Sequence, residues 1–286
     1  MRGSTLGCAM SMRRPQPRRR AALAAAAVIV LLTLWAIAGP AASPYSPTAL
    51  DWHHLSAAPS LTDGHWLGTD PLGRDLYVRT LYGLRLSLLI GVLATGVSVL
   101  IGVAWGMVAG FAGGRVDAWM MRVVDILYSL PYLFIVLILA TLFGRDSITL
   151  LLVAIAAVGW LTLARVVRAR TLSLKRREFI EAARAAGLPP AGIMVRHILP
   201  NLAGTVVVYA TLMVPQMITS ESFLSFLGLG VQEPRASLGS LVSEGAHEML
   251  SAPCMLLVPA TVLVVLLLSF NLLGDALRDV LDPTAR

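Results

Sequence analysis

Few side chains in this 286-residue sequence are placed to do chemistry. Lys175 is the single lysine, and it lies in Leu172-Ser173-Leu174-Lys175-Arg176-Arg177 with no glycine beside it. A P-loop needs a lysine after a glycine-rich turn to reach the phosphates of a nucleotide, so the chain is not a P-loop ATPase. The five histidines show no metal-ligand spacing: His53 and His54 are adjacent, and His247-Glu248 lacks the second histidine of a zinc-protease helix. Serines are plentiful, but no Gly-x-Ser-x-Gly elbow is present. Cys8 and Cys254 fit neither a disulfide framework nor a metal set. No apolar stretch precedes Cys8, as lipid attachment there would require. The expectation is a chain with no catalytic residue, no cofactor and no metal of its own.

Two other kinds of site stand out. Glu221 lies close to the end of a long apolar run, where an ionisable group is costly unless it faces protein or water. Two roles are open for it: lining a translocation path, or pairing with Arg79 or Arg85. Asp125 poses the same question more mildly, with a snorkelling or paired role as the default. The second kind of site is a docking element. Residues 178–200, EFIEAARAAGLPPAGIMVRHILP, interrupt two apolar runs of membrane length. Phe179, Ile180, Ala183 and Ala186 recur at helical spacing against Arg177, Glu181 and Arg184 on another face. Gly187 stands where a left-handed helix cap is needed, Pro189 and Pro190 follow, and a proline can open the next short helix. Pro200 is expected to close the element. Ala182, Ala183, Ala185 and Ala186 are small enough to let another surface approach the backbone. The alternative is a basic amphipathic loop lying on the inner leaflet.

The elements that must position these groups are membrane spans. Hydrophobic residues make up 57% of the chain and charged ones 14%, with a mean hydropathy of +0.76; a soluble domain carries roughly 25% charged residues. The net charge of +7 does not point to nucleic acid, because the basic residues lie in loops near spans and lack interleaved aromatics. A basic segment, 1–20, precedes an apolar run over 21–39. That run is near the spanning length of about 20 residues and is taken as an uncleaved first span, although Ala36-Ile37-Ala38 resembles a signal-peptidase site. Residues 40–84 form the longest connection, and 85–277 hold five further spans, over 86–111, 123–143, 148–167, 202–227 and 255–273, with the element 175–200 between them. Residues 278–286 are a tail. In the second span Gly102, Gly106, Gly110 and Gly114 recur every four residues, which strips one face for a close helix crossing. Pro131, Pro215 and Pro259 fall inside spans, where neighbouring helices re-satisfy the backbone. With the N-terminus inside, eighteen of the 23 Lys and Arg residues fall on the cytoplasmic side. The 178–200 element then lies in the cytoplasm.

Those residues also carry a resemblance. Glu181-Ala182-Ala183, Gly187 and Leu199-Pro200 are similar to the EAA–Gly–LP signature of permease subunits of ABC importers, with His197 standing where the general pattern has Ile. Arg196-His197-Ile198-Leu199-Pro200-Asn201 resembles the peptide-importing branch. Gly68-Thr69-Asp70-Pro71-Leu72-Gly73-Arg74-Asp75 and Tyr82-Gly83-Leu84-Arg85-Leu86-Ser87-Leu88 resemble the segment before the second span of the C-type permeases for dipeptides, oligopeptides and nickel. The run from Glu221 to Gly230, Gln232-Glu233-Pro234 and the tail around Asn271 to Pro283 extend the likeness, strongest to oligopeptide permeases; Leu238 departs from the Trp of many relatives.

The resemblance implies an all-α, six-span type I permease fold whose cytoplasmic coupling helix carries Glu178, Glu181, Ala182, Ala183, Gly187 and Pro200. It implies a B-type permease partner, two ATP-binding cassette subunits that hold the ATP and magnesium, and an extracytoplasmic peptide-binding protein, all at a bacterial inner membrane with both termini cytoplasmic. Gly68, Asp70, Arg74, Asp75, Glu221, Gly228 and Gly230 are candidates for an outer gate or path. Their alternative role is to cap helices and close the rim. Dipeptide or nickel import on the same scaffold is the nearest rival. A self-contained channel or ion-coupled carrier is disfavoured, because the centres of spans two, four and six hold no ionisable group. A membrane-embedded enzyme is opposed by the absent motifs.

Overall fold

The apolar runs form helices in the computed structural model, which describes residues 16–143 and 148–281. Cys8, the N-terminal basic cluster up to Pro15, Arg145 and Asp282-Pro283 lie outside the described residues. The order is α1 (Gln16–Ala38), a 3-10 turn (Gly39–Ala42), α2 (Leu76–Ala112), α3 (Gly114–Ser129), α4 (Tyr132–Phe143), α5 (Ile148–Leu174), α6 (Glu178–Ala185), α7 (Pro190–Ile193), a π turn (Met194–Ile198), α8 (Leu199–Phe226), α9 (Leu238–His247) and α10 (Cys254–Leu281). Five stretches are long and apolar enough to cross a membrane, and α3 with α4 would make a sixth as a bent pair. The chain is a multi-pass, all-helical membrane protein.

The centre of the bundle is the crossing of α2 and α5, and glycine makes it close. A Cβ on Gly102, Gly106 or Gly110 would stand 2.9 Å from the Trp160 carbonyl oxygen, 2.4 Å from that of Ala164 and 2.8 Å from that of Arg168. Every fourth residue of α2 thus meets every fourth of α5 backbone to backbone, the packing small residues permit in membranes. Gly114 falls out of this series and opens α3. At the same end Lys175 donates to the Phe111 carbonyl, Arg168 Nη2 donates to Asp117 Oδ2 at 2.6 Å, and Arg165 Nη2 donates to Asp125 Oδ1 at 2.8 Å. Asp125 is paired, as expected. α1 lies along α10 and α2, with Ala36 in a buried cluster that includes Leu84, Leu88, Ile218 and Leu266.

Three elements differ from the sequence expectation. First, α2 begins at Leu76, because Asp75 caps it by accepting from Val78 N at 2.8 Å. The connection is therefore shorter than 40–84, and α2, at about 1.5 Å per residue, reaches about 55 Å. Secondly, the expected span over 123–143 is broken: α3 and α4 meet at 87°. Leu130 takes an extended conformation (φ −77°, ψ 133°), as a residue before proline is driven to do. Thirdly, Pro200 does not close the docking element. Pro200 lies in the first turn of α8, and the helical path from Pro190 to Phe226 is continuous. Proline removes one backbone donor, and the π turn before it, closed by Leu199 N to the Met194 carbonyl, absorbs the shift.

Candidate functional site

The elbow formed by α6, the Gly187 turn and α7 is built from local chemistry. Glu178 and Glu181 occupy the first turn of α6 and Arg184 its last, complementing the helix dipole. The helix ends at Gly187 (φ +77°), with Gly187 N donating to the Arg184 carbonyl at 3.0 Å and Leu188 N to that of Ala183 at 3.2 Å. That bond pair is a Schellman cap. Pro190 opens α7.

One face of the elbow is anchored. Ile180, Ala183, Ile193 and Ile198 are buried in the main core cluster beside Leu202 of α8, and each fully buried isoleucine contributes roughly 1.5–3 kcal/mol. The other face is open: Glu178, Phe179, Glu181, Ala182, Ala185, Ala186, Gly187 and Pro200 are exposed. Of the alanines, Ala182 faces outward, whereas Ala183 is 7% exposed and faces the chain's own core. Ala183 therefore holds the elbow in place, and Ala182, with Ala185 and Ala186, leaves small exposed positions a partner surface could touch.

The opposite end of α2 carries a polar cluster that was only partly visible in the sequence. Asp70 is buried and accepts from Leu72 N, Arg74 N and Arg74 Nε, and it pairs with Arg79. Arg74 Nη2 reaches Glu233 Oε1 at 2.9 Å, and Arg79 reaches Glu244 of α9. Burial alone would lower the Arg74 pKa, but Glu233 and Asp70 outweigh it and hold the guanidinium above its ordinary value. Gly68 and Asp75 flank this cluster in a tight turn, with Gly68 N on the His65 carbonyl and Leu76 N on the Gly68 carbonyl.

Glu221 pairs with neither Arg79 nor Arg85. Its carboxylate accepts from Ser87 Oγ of α2 at 2.9 Å and Ser225 Oγ at 2.7 Å, while Ser87 Oγ in turn accepts from Leu238 N at the start of α9. Arg85 instead donates to the Ala36 and Ile37 carbonyls at the end of α1. Gly228 (φ +75°) ends α8 with the same cap as Gly187, and Gly230 packs against Ser225 so closely that a Cβ would stand 2.0 Å from Ser225 Oγ. Helix α9 was not anticipated; its local signal is the Ser237-x-x-Ser240 capping box. Glu233, Glu244, Ser87 and Ser225 had no local signal, because their partners are distant in sequence or buried only by the fold.

Three side chains that sequence spacing did not link also meet in the connection. The connection brings Asp51, His54 and His65 together with their ligand atoms within 4.8 Å of one another. Asp51 Oδ2 lies 2.8 Å from His54 Nδ1 and 3.5 Å from His65 Nε2. The His54 hydrogen bond draws the Asp51 carboxyl down to about 2, and Asp51 raises the His54 imidazole. A cavity of about 460 Å³ opens elsewhere, along α5 and α8; Thr162, Tyr209, Gln216 and Ser220 are among its lining residues and no charged side chain is. Tyr132 also lines it, its buried hydroxyl without a hydrogen-bond partner among the described residues.

A continuous helical bundle with an exposed elbow at one end and a braced rim at the other defines a transport permease. The fold is similar to that of a chain of the MetNI methionine ABC transporter in inward-facing conformations: TM-score 0.59, 18% identity, covering 71% of this chain and 96% of that one. The family model for binding-protein-dependent transport system inner membrane components matches residues 102–286, and the chain belongs to that family. It is 52% identical over 257 residues to the oligopeptide transport system permease protein OppC of Escherichia coli (strain K12), covering 90% of this chain and 85% of that protein. It is 43% identical over 258 residues to the dipeptide transport system permease protein DppC of Bacillus subtilis (strain 168), covering 90% and 80%.

Proposed function

We propose that the chain is a transmembrane permease subunit of an ATP-driven importer that moves oligopeptides across a bacterial inner membrane. The observation that carries this reading is the exposed, rigidly capped elbow, in a chain half identical to an oligopeptide permease. ATP and magnesium belong to two ATP-binding cassette subunits. A B-type permease completes the path and an extracytoplasmic peptide-binding protein delivers cargo. Both termini and the elbow are cytoplasmic; the polar cluster around Asp70 is extracytoplasmic.

In this mechanism Glu178, Glu181, Ala182 and Gly187 form the docking surface, while Ala183 and Pro200 set its position. Because the helical path from Pro190 runs unbroken to Phe226, a displacement of the elbow passes directly into α8. A ligand shifts such an equilibrium only by its differential affinity for the two states, so the elbow's contacts must differ between ATP-bound and ATP-free motors. Gly68, Asp70, Arg74 and Asp75 brace the outer rim, and Glu221 ties α8 to α2 and α9 through Ser87. The uncharged polar wall around Gln216 and Tyr132 suits a peptide backbone without selecting for side-chain charge. Dipeptide import remains a second reading on the strength of the DppC similarity.

The test is reconstitution. The chain co-expressed with its permease and ATPase partners and placed in liposomes is expected to take up a labelled oligopeptide only with internal ATP and the external binding protein. Uptake of nickel in place of peptide, or peptide uptake without ATP, would overturn the reading.

A further inference from the structure

His65 stands between two acidic side chains, Asp75 at the head of α2 and Asp51 in the connection. It is 1% exposed, stacked on Tyr45 at 4.1 Å between centroids, and its Nδ1 lies 2.9 Å from Asp75 Oδ2. Its Nε2 lies 3.5 Å from Asp51 Oδ2, a carboxylate that is itself partly open to solvent. Asp51 Oδ2 lies closer still to a second imidazole nitrogen, His54 Nδ1 at 2.8 Å. A tetrahedral zinc ion, bound at about 2.0–2.2 Å, holds its ligand atoms about 3.3 Å apart, and the two observed separations bracket that value. The Asp75–His65 contact is the carboxylate–histidine arrangement that fixes the tautomer and raises the basicity of a metal-bound imidazole.

We infer that Asp51 Oδ2, His54 Nδ1 and His65 Nε2 form a site for a divalent transition-metal ion of the zinc class, with water in the fourth position. Two imidazoles and one carboxylate suit such ions better than magnesium or calcium. Binding displaces a proton from between Asp51 and His54, so one metal ion enters as a proton leaves to solvent. The ion would tie the start of the connection to the head of α2, since Asp75 both orients His65 and caps that helix. It is a staple for the outer rim, independent of the peptide reading and of the ATPase elbow.

The experiment uses the full chain in nanodiscs, purified through an affinity tag without histidine and dialysed against a chelator. Titration with zinc is expected to give one tight equivalent by calorimetry, and cobalt in its place should give the intense visible bands of a four- or five-coordinate ion. His54→Ala, at a half-buried position, should weaken zinc binding at least about tenfold, the scale on which even outer partners of metal sites act. His53→Ala, at the exposed neighbour, should bind as the wild type does. No zinc uptake, or equal affinity in wild type and His54→Ala, would overturn the assignment.

Discussion

Arg79 and Glu244, 165 positions apart, meet in a two-pronged pair, Nη1 to Oε2 at 2.9 Å and Nη2 to Oε1 at 3.1 Å. Arg79 is at the same time the counter-ion of the fully buried Asp70. One guanidinium therefore joins the connection, α2 and α9. Removing one partner of a buried pair costs up to about 3–5 kcal/mol, and here Arg74, which also pairs with Asp70, offsets part of that loss. Arg79→Leu is expected to lower the unfolding midpoint of the purified chain sharply, read by tryptophan fluorescence during thermal unfolding. A midpoint within a degree of wild type would show that the rim is not braced by this pair.

Glu221 offers a contrast, because its partners are hydroxyls that can rotate. Glu221→Gln keeps an acceptor for Ser87 and Ser225 and is expected to assemble and transport normally. Glu221→Leu strands both serines and should destabilise the fold by about 1–3 kcal/mol. The check is yield and thermal midpoint alongside peptide uptake; lost transport in a well-assembled Glu221→Gln protein would place this carboxylate in the path after all.

The α2–α5 crossing gives a steric prediction with its own control. A methyl at Gly106 would stand 2.4 Å from the Ala164 carbonyl oxygen, whereas one at Gly96 meets nothing within 4 Å. Gly106→Ala is expected to separate the helices and reduce folded yield severalfold, and Gly96→Ala to leave it unchanged, measured by size-exclusion chromatography in detergent. Equal yields would mean the two helices do not approach as closely as described.

At the elbow the constraint is conformational. Gly187 has open space around it but a φ of +77°, a region that costs an L-residue roughly 1–2 kcal/mol and that asparagine tolerates best. Gly187→Val is expected to insert into the membrane yet lose most ATP-driven uptake, and Gly187→Asn to retain most of it. If Val and Asn behave alike, the cap is not what holds the docking surface.

The parts of this architecture legible in the sequence are those written by local rules. Hydropathy marked the crossing helices, the four-residue glycine spacing marked the α2–α5 contact, and Gly187 followed by Pro189 and Pro190 marked the elbow. Pro131 was placed inside one span over 123–143, and the break there was missed, because the preference it imposes on Leu130 fixes one residue, while the 87° turn is set by how α4 packs against α5. Pro200 misled, since its missing donor was absorbed by a π turn instead of ending the helix. Asp51, His65, Glu233 and Glu244 carried no local signal at all. Their partners arrive from other parts of the chain, and only the fold brings them within hydrogen-bond reach.

The claim on which the rest depends is that a separate ATPase grips the open face of α6. A photo-reactive amino acid placed at Ala182, in the assembled transporter in native membranes, tests this directly. Illumination is expected to yield a cross-link to an ATP-binding cassette subunit whose intensity changes when ATP is added, with none from the same probe at the mid-helix position Leu100. Cross-linking from Ala182 only to lipid or to the extracytoplasmic binding protein would contradict the account.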